Sequence, residues 1–379
     1  MQTGVRTGEQ PQYELLVGSD EFWRRARSDI LSAQRRVLLQ AMTFEGDATG
    51  LAVAAALKQS GAKDRRVLVD DFTRMVVSDS FVRSPRFLLD SAFRAEVRST
   101  SQMFRALSAS GVCVRTTNPT RGNVLRYAGR NHKKLIVADD VAYIGGVNFS
   151  DHNFAWHDLM LRISGTEVGA FLADDFHATW QGTAILRRSN FGDLDLTCLD
   201  GRTNKAGFAA LFSAIAHAKR RIVVISPYLS FPFIAHLQVA TERGVQVEVL
   251  TPLANNKPLV RNYLLGATEG AGLSVRLTPK MSHLKAMLID DELMVLGSSN
   301  FDFPSYHSME EYLALIESPA LIDTFKRDVL APMNAESFSA AEFRPGLAAV
   351  LTSRFALGLG GLATKHLGRF ERGATADQW

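Results

Sequence analysis

Cysteine is nearly absent from this chain: 379 residues contain two, Cys113 and Cys198. Two thiols so far apart make no disulfide framework, and no C-x-x-C spacing offers a metal site. We read both as reduced, buried side chains. Long apolar runs are missing too. Nowhere do about 18 apolar residues follow one another, the length a membrane-spanning helix needs. The opening stretch MQTGVRTGEQPQYELL has no apolar centre of the signal-peptide kind. The expectation is a cytoplasmic chain whose membrane contact is at most peripheral. Nor is one charge sign in large excess: 43 Lys and Arg against 39 Asp and Glu leave +4. So mild a basicity suits an anionic partner, whether nucleic acid, lipid headgroup or phosphorylated small molecule, and does not choose among them. Hydrophobic residues at 46% and charged residues at 22% exclude a disordered chain. The length exceeds one ordinary domain and suits two, or one duplicated unit.

What is present is a repeat. ILSAQRRVLLQAMTFEGD (30–47) and IAHAKRRIVVISPYLSFP (215–232) both run from a helical segment through a basic pair into an apolar strand. Helical stretches closed by glycine follow, LAVAAALKQSG and LQVATERG. RRVLVDDF (65–72) and VQVEVLTP (245–252) read as the next strands. This order predicts an α/β protein of two homologous α/β/α units with mixed sheets, packed with pseudo-two-fold symmetry. We divide it into a first half, 1–195, a second half, 196–335, and a C-terminal apolar and basic segment, 336–379. An insertion of low regularity is expected at roughly 73–128.

Both halves then carry one polar spacing. NHKKLIVADD (131–140) and SHLKAMLIDD (282–291) each read H-x-K-x4-D, with His132, Lys134 and Asp139 in one and His283, Lys285 and Asp290 in the other. Side chains two apart on a strand face the same side. An imidazole can act as nucleophile or as general acid and base near neutral pH. A lysine beside it stabilises an anionic oxygen. The aspartate could accept from an imidazole N–H and fix its tautomer. One copy is an incomplete machine; two copies around one point suit displacement at phosphorus. One histidine would attack and the other would carry the leaving group's proton. Asn148 and Asn300 follow the aspartates by nine and ten residues, after glycine turns, where an amide can donate to a phosphoryl oxygen.

These residues resemble the phospholipase D superfamily, defined by the twice-repeated H-x-K-x4-D motif, and within it the bacterial cardiolipin synthase-like group. RNHKKLIVADDVAYIGGVNFSD, ISPYLSFP and HLKAMLIDDELMVLGSSNFD carry the likeness, which covers most of residues 14–330. The resemblance implies two α/β halves sharing one active site, and phosphodiester chemistry through phosphohistidine with no metal or other cofactor. It implies that His132, Lys134, Asn148, His283, Lys285 and Asn300 line the site, with Asp139 and Asp290 completing the motifs. It also implies that an acidic residue beyond each asparagine orients a histidine: Glu311 in the second half and, more loosely, Asp158 in the first. In several relatives the first-half histidine is the nucleophile, which would be His132. The usual bacterial synthases begin with two membrane-spanning helices, which this chain lacks. The second motif is also less basic than the first, with Leu284 where the first has Lys133.

The implied partners are glycerophospholipids, phosphatidylglycerol or phosphatidylethanolamine, at the anionic inner face of a membrane. Residues 344–370 contain no acidic residue, and basic residues interleave with leucine, phenylalanine and alanine. Such a segment can lie in a bilayer interface or pack on the domain. FPFIAHL (231–237) is open to the same two readings. A nuclease is the rival, since Arg65, Arg66, Arg121, Arg126 and Arg130 give some basic density. A hydrolase releasing phosphatidic acid is the other alternative. Oligomeric state is not legible.

Overall fold

The computed structural model describes residues 11–120, 128–367 and 374–376. Arg121, Arg126, Arg369 and Phe370 lie outside the described residues.

Two mixed sheets share one strand plan. The first runs Gln12–Val17, Leu159–Ser164, Val141–Gly145, Leu135–Ala138, Arg36–Ala41, Asp64–Asp70, Cys113–Thr117 and Ala374–Ala376. The second runs Arg187–Asn190, Leu194–Asp200, Glu310–Ile316, Leu293–Gly297, Ala286–Ile289, Arg221–Ile225, Gln246–Pro252, Ser274–Thr278 and Phe338–Ser339. In each, three successive strands are parallel, joined by helical crossovers, and the motif strand pairs antiparallel beside them. The strands LIVA (135–138) and AMLI (286–289) are buried at every position. Covered on both faces, they need continuous apolar runs instead of alternation.

The cover comes in layers. Helices Ser19–Ser32, Ala48–Gln59 and Ser91–Ala109 pack on the outer face of the first sheet. Helices Ala209–His217, Phe233–Glu242 and Pro258–Thr268 do the same for the second. Between the sheets lies a core to which both halves contribute, with Leu172 and Phe176 of helix Thr166–Gln181 and Phe325 and Val329 of the stretch 319–336. Lys133 enters this core. Its Nζ meets Asp175 at 2.7 Å, and Tyr312 Oη donates to the same carboxylate at 2.8 Å. Removing one partner of such a pair costs roughly 3–5 kcal/mol. Leu284, its counterpart, is fully buried in the same core. The extra basicity of the first motif is therefore internal and faces no substrate.

The structure corrects several expectations. The hairpin 187–200 belongs wholly to the second sheet, so the halves divide before Arg187 and not after residue 195. Of the segment 336–379, left open between bilayer and domain, Phe338–Ser339 extends the second sheet and Ala374–Ala376 the first. The insertion after residue 72 is mostly regular. Its helix Ser91–Ala109 is capped by Asp90, which accepts from the N–H groups of Ala92 and Phe93. Phe233, Ile234 and Leu237 of FPFIAHL are core residues, which favours the packing reading of that stretch. Cys113 is exposed, whereas Cys198 is buried.

Candidate active site

The two motif segments reach across to each other's halves. His132 N–H donates to Glu310 O at 2.9 Å, and Glu310 N–H to Arg130 O at 3.0 Å. In mirror fashion His283 N–H donates to His157 O at 2.8 Å, and His157 N–H to Met281 O at 3.3 Å. These bridges bring each histidine beside the acidic residue of the opposite half. His132 Nδ1 lies 3.0 Å from Glu311 Oε1, and His283 Nδ1 lies 2.8 Å from Asp158 Oδ2. A carboxylate at Nδ1 fixes the proton there and leaves Nε2 of each ring for chemistry.

His132, His283, Asn148 and Asn300 line one cleft of about 600 Å³. Lys134 and Lys285 lie buried beneath it. Lys134 Nζ donates to His132 O at 2.8 Å, and Lys285 Nζ donates to His283 O. Asn300 Oδ1 is buried with no partner among the described residues, while Asn148 Oδ1 accepts from Thr43 N–H at 3.4 Å. Trp156 stands beside the His283 ring, centroids 5.4 Å apart, and Tyr228 flanks it at 6.0 Å.

Asp139 and Asp290 are not at this site, and their reading as catalytic residues is corrected. Each sits on a hairpin turn at the far end of the motif strand, with φ 52° and 54°. Asp139 accepts the backbone N–H groups of Gln34, Arg35 and Arg36, and Asp290 those of Lys219, Arg220 and Arg221. They fasten the motif strand to the start of its neighbour. The carboxylates that stand at the histidine Nδ1 atoms are instead those of Glu311 and Asp158.

Comparison with known proteins agrees with this geometry. The family model "Cardiolipin synthase, PLD-like domain" matches residues 27–180 and 211–331. The chain belongs to the phospholipase D superfamily, in its cardiolipin synthase-like group of phosphatidyltransferases. It is 26% identical over 356 residues to the major cardiolipin synthase ClsA of Bacillus subtilis (strain 168), covering 83% of this chain and 67% of that protein. It is 28% identical over 287 residues to the minor cardiolipin synthase ClsB of the same organism, covering 68% and 71%. The chain thus spans about two thirds of the length of these relatives. Among solved structures, phosphatidylserine synthase of Haemophilus influenzae Rd KW20 superposes with TM-score 0.70 at 14% identity, covering 94% of this chain and 97% of that one. That likeness shows the fold.

The electrostatics of this phospholipase D-type site follow from burial. Burial lowers His132 to about 4, against the pull of Glu311 and with the push of Lys134. His283 is driven well down by burial and by both lysines. Burial likewise lowers Lys285 to about 8 and drives Lys134 well down from its ordinary value. Asp158 rises to about 6 through burial, opposed by Lys285. Burial pushes Glu311 up as well, but His132, Lys134 and the Ser298 hydroxyl outweigh it and hold the carboxyl low. In the protein alone both imidazoles are therefore neutral. A phosphodiester anion beside the lysines reverses this cost and favours ammonium and imidazolium.

Sequence reasoning missed several groups on the cleft wall. Lys257, over the Tyr228 ring at 4.6 Å, follows NN in an irregular loop and has no motif to mark it. Glu45 and His152 line the same cleft. Glu45, Asp47 and Glu96 offer carboxylate oxygens within 4.8 Å of one another, the one group among the described residues spaced to hold a cation. Burial and the nearby Glu96 and Asp47 raise Glu45 to about 8, against the Ser78 N–H that holds it down. Ser298 and Ser305 were missed as well, although GSSN against GGVN was a visible difference between the repeats.

Proposed function

We propose that this chain moves the phosphatidyl group of a glycerophospholipid, phosphatidylglycerol or phosphatidylethanolamine, to an alcohol through a phosphohistidine on His132. The observation that carries this reading is the crossed pairing of His132 with Glu311 and His283 with Asp158 in one cleft. His132 Nε2 attacks phosphorus as the bond to the headgroup oxygen breaks, and His283 delivers the proton to that oxygen. His283 then takes a proton from the incoming alcohol, whose oxygen displaces His132. Lys134, Lys285, Asn148 and Asn300 compensate charge on the phosphoryl oxygens. With phosphatidylglycerol as both donor and acceptor, the products are cardiolipin, as the relatives' names indicate for them, and glycerol.

The cleft suits an amphipathic substrate. Its polar floor is the histidine pair, and its mouth carries Phe81, Leu259, Phe303 and Leu357. The last belongs to helix Leu347–Leu367, whose other face exposes Leu347, Leu351, Phe355, Leu359 and Leu362 at three- and four-residue spacing. By length and composition Leu347–His366 could cross a membrane, with mean hydropathy 1.4. Its inner face packs on the protein: Arg354 donates to Gly266 O, and Gly361 lies against Phe231. We place this stripe in the interface of an anionic bilayer at the inner membrane face, with Lys365 and His366 at one end. A basic groove for nucleic acid finds less support. Arg130 is buried on Asp70 at 2.8 Å, Arg65 bonds backbone carbonyls, and Arg66 bonds Asp64.

The test is a mass-spectrometric product assay on mixed phosphatidylglycerol and phosphatidylethanolamine vesicles, with single- and double-stranded DNA in parallel. Cardiolipin or another exchanged phospholipid, lost in His283→Ala, is expected. Phosphatidic acid alone would make the protein a hydrolase, and cut DNA beside intact lipid would overturn the lipid assignment.

A further inference from the structure

The two halves are not equal at the carboxylates. In the hairpin register Gly145 pairs with Met160 and Gly297 with Leu313, so Gly146 corresponds to Ser298 and Asp158 to Glu311. The Ser298 hydroxyl donates to Glu311 Oε2, and Ser305 Oγ donates to Oε1 at 2.8 Å. Glu311 thus meets two hydroxyls besides His132. Asp158 has no hydroxyl donor among the described residues; it meets His283 and the N–H of Leu159 at 2.9 Å. Gly146 is the reason. A Cβ there would stand 2.3 Å from Asp158 Oδ1, so a serine at that position would push the carboxylate off its place against His283.

We infer that Ser298 and Ser305 are positioning residues that divide the labour between the histidines, keeping His132 the nucleophile and leaving His283 the proton carrier. This rests on the phosphohistidine reading above. Hydroxyl donors draw acceptor strength from Glu311 while keeping it ionised. A weaker acceptor makes His132 less basic, so its Nε2 lone pair stays free. The ionised carboxylate still faces the cationic ring formed when Nε2 takes phosphorus. Asp158, with fewer donors, is the stronger base, and it supports a proton on His283 once a phosphodiester anion has offset the charge of the lysines. The charged groups around Glu311 are His132, Lys134, Lys285 and Asp302, and around Asp158 they are His283, Lys285 and Lys134. Both sites see the same two lysines; Asp302 lies near Glu311 and Lys257 near His283, and the two hydroxyls are what distinguishes the direct contacts of the carboxylates.

The experiment uses the full chain with bis(p-nitrophenyl) phosphate, whose p-nitrophenolate leaves without a proton. His132 Nε2 forms the N–P bond as the P–O bond to p-nitrophenolate breaks. His283→Ala should retain a burst of nitrophenolate and carry the phosphoryl group on His132 by peptide mass spectrometry; His132→Ala should show neither. Histidine-¹⁵N NMR, assigned with these two variants, then follows each ring with pH. In Ser298→Ala and Ser305→Ala the titration of His132 should move up by about one pH unit, with His283 unmoved. Ser305→Ala serves where Ser298→Ala melts early, since Ser298 Oγ also accepts from Tyr312 N–H. No burst from the wild-type protein would sink the phosphohistidine reading itself. A label on His283, or a burst on His132 with its titration unmoved in both serine variants, would overturn the division of labour alone.

Discussion

Lys285 sits at a crossing of stability and catalysis. Burial brings its ammonium to about 8 from an ordinary value near 10.5. The folded state therefore holds fewer protons than the unfolded chain between those values, and stability rises with pH across that window. The phosphoryl site loses a positive charge across the same window. We expect kcat/KM for a soluble phosphodiester to fall above pH 8 while the melting temperature holds or rises. A parallel loss of both would show that unfolding, and not lysine deprotonation, sets the alkaline limb. At this scale the sequence was informative for His132, Lys134, His283 and Lys285, because a strand's two-residue period fixes which side chains share a face. It was uninformative about Lys257 and Glu45, whose approach to the cleft depends on loop paths with no local signature.

Among the elements, the motif hairpins show how a repeated residue can be retained for folding alone. Asp139 occupies left-handed backbone and closes three N–H groups of residues 34–36, the last of them the first N–H of the strand Arg36–Ala41. Asparagine tolerates that conformation and retains one acceptor oxygen, whereas alanine does neither. Asp139→Ala should lose about 1–3 kcal/mol in denaturant unfolding and Asp139→Asn less. Activity per folded molecule should stay within a few-fold in both, and a loss of a hundredfold or more would return Asp139 to the chemistry. The motif spacing could not separate the two roles. H-x-K-x4-D names the distance along the chain, and the intervening four-residue strand carries Asp139 to the far end. Similarly, the helix Ser91–Ala109 was hidden in the sequence by its many serines and arginines, yet its buried Phe93, Thr100, Met103, Phe104 and Leu107 keep helical spacing.

On the scale of the whole molecule, the fold is a duplication whose halves complete one another, and the repeat made that legible before any coordinates. What the repeat could not tell was the crossing of partners, because it depends on how two surfaces dock. Nor could it tell that the tail joins the structure. Ala356 and Leu357 line the cleft and Ala374–Ala376 pairs with Cys113–Thr117, so truncating the tail would disturb the site. The exposed stripe can be changed alone. Phe355 and Leu359 are 70% and 52% exposed, so Phe355→Asp with Leu359→Asp should leave stability unchanged. Burying such side chains in lipid is worth roughly 1.5–3 kcal/mol each. Liposome binding should drop tenfold or more, with soluble phosphodiester cleavage intact; unaltered binding would place the membrane contact elsewhere.

The central claim is that each histidine works through the other half's carboxylate. Phosphatidyl transfer on vesicles, measured as kcat for Glu311→Gln and Asp158→Asn beside wild type, tests it most directly. Each amide keeps the shape of the acid but removes the charge that fixes the Nδ1 proton. The account predicts a loss of about 10²–10⁴-fold in both variants with little change in melting temperature. Near wild-type turnover in either one would contradict it.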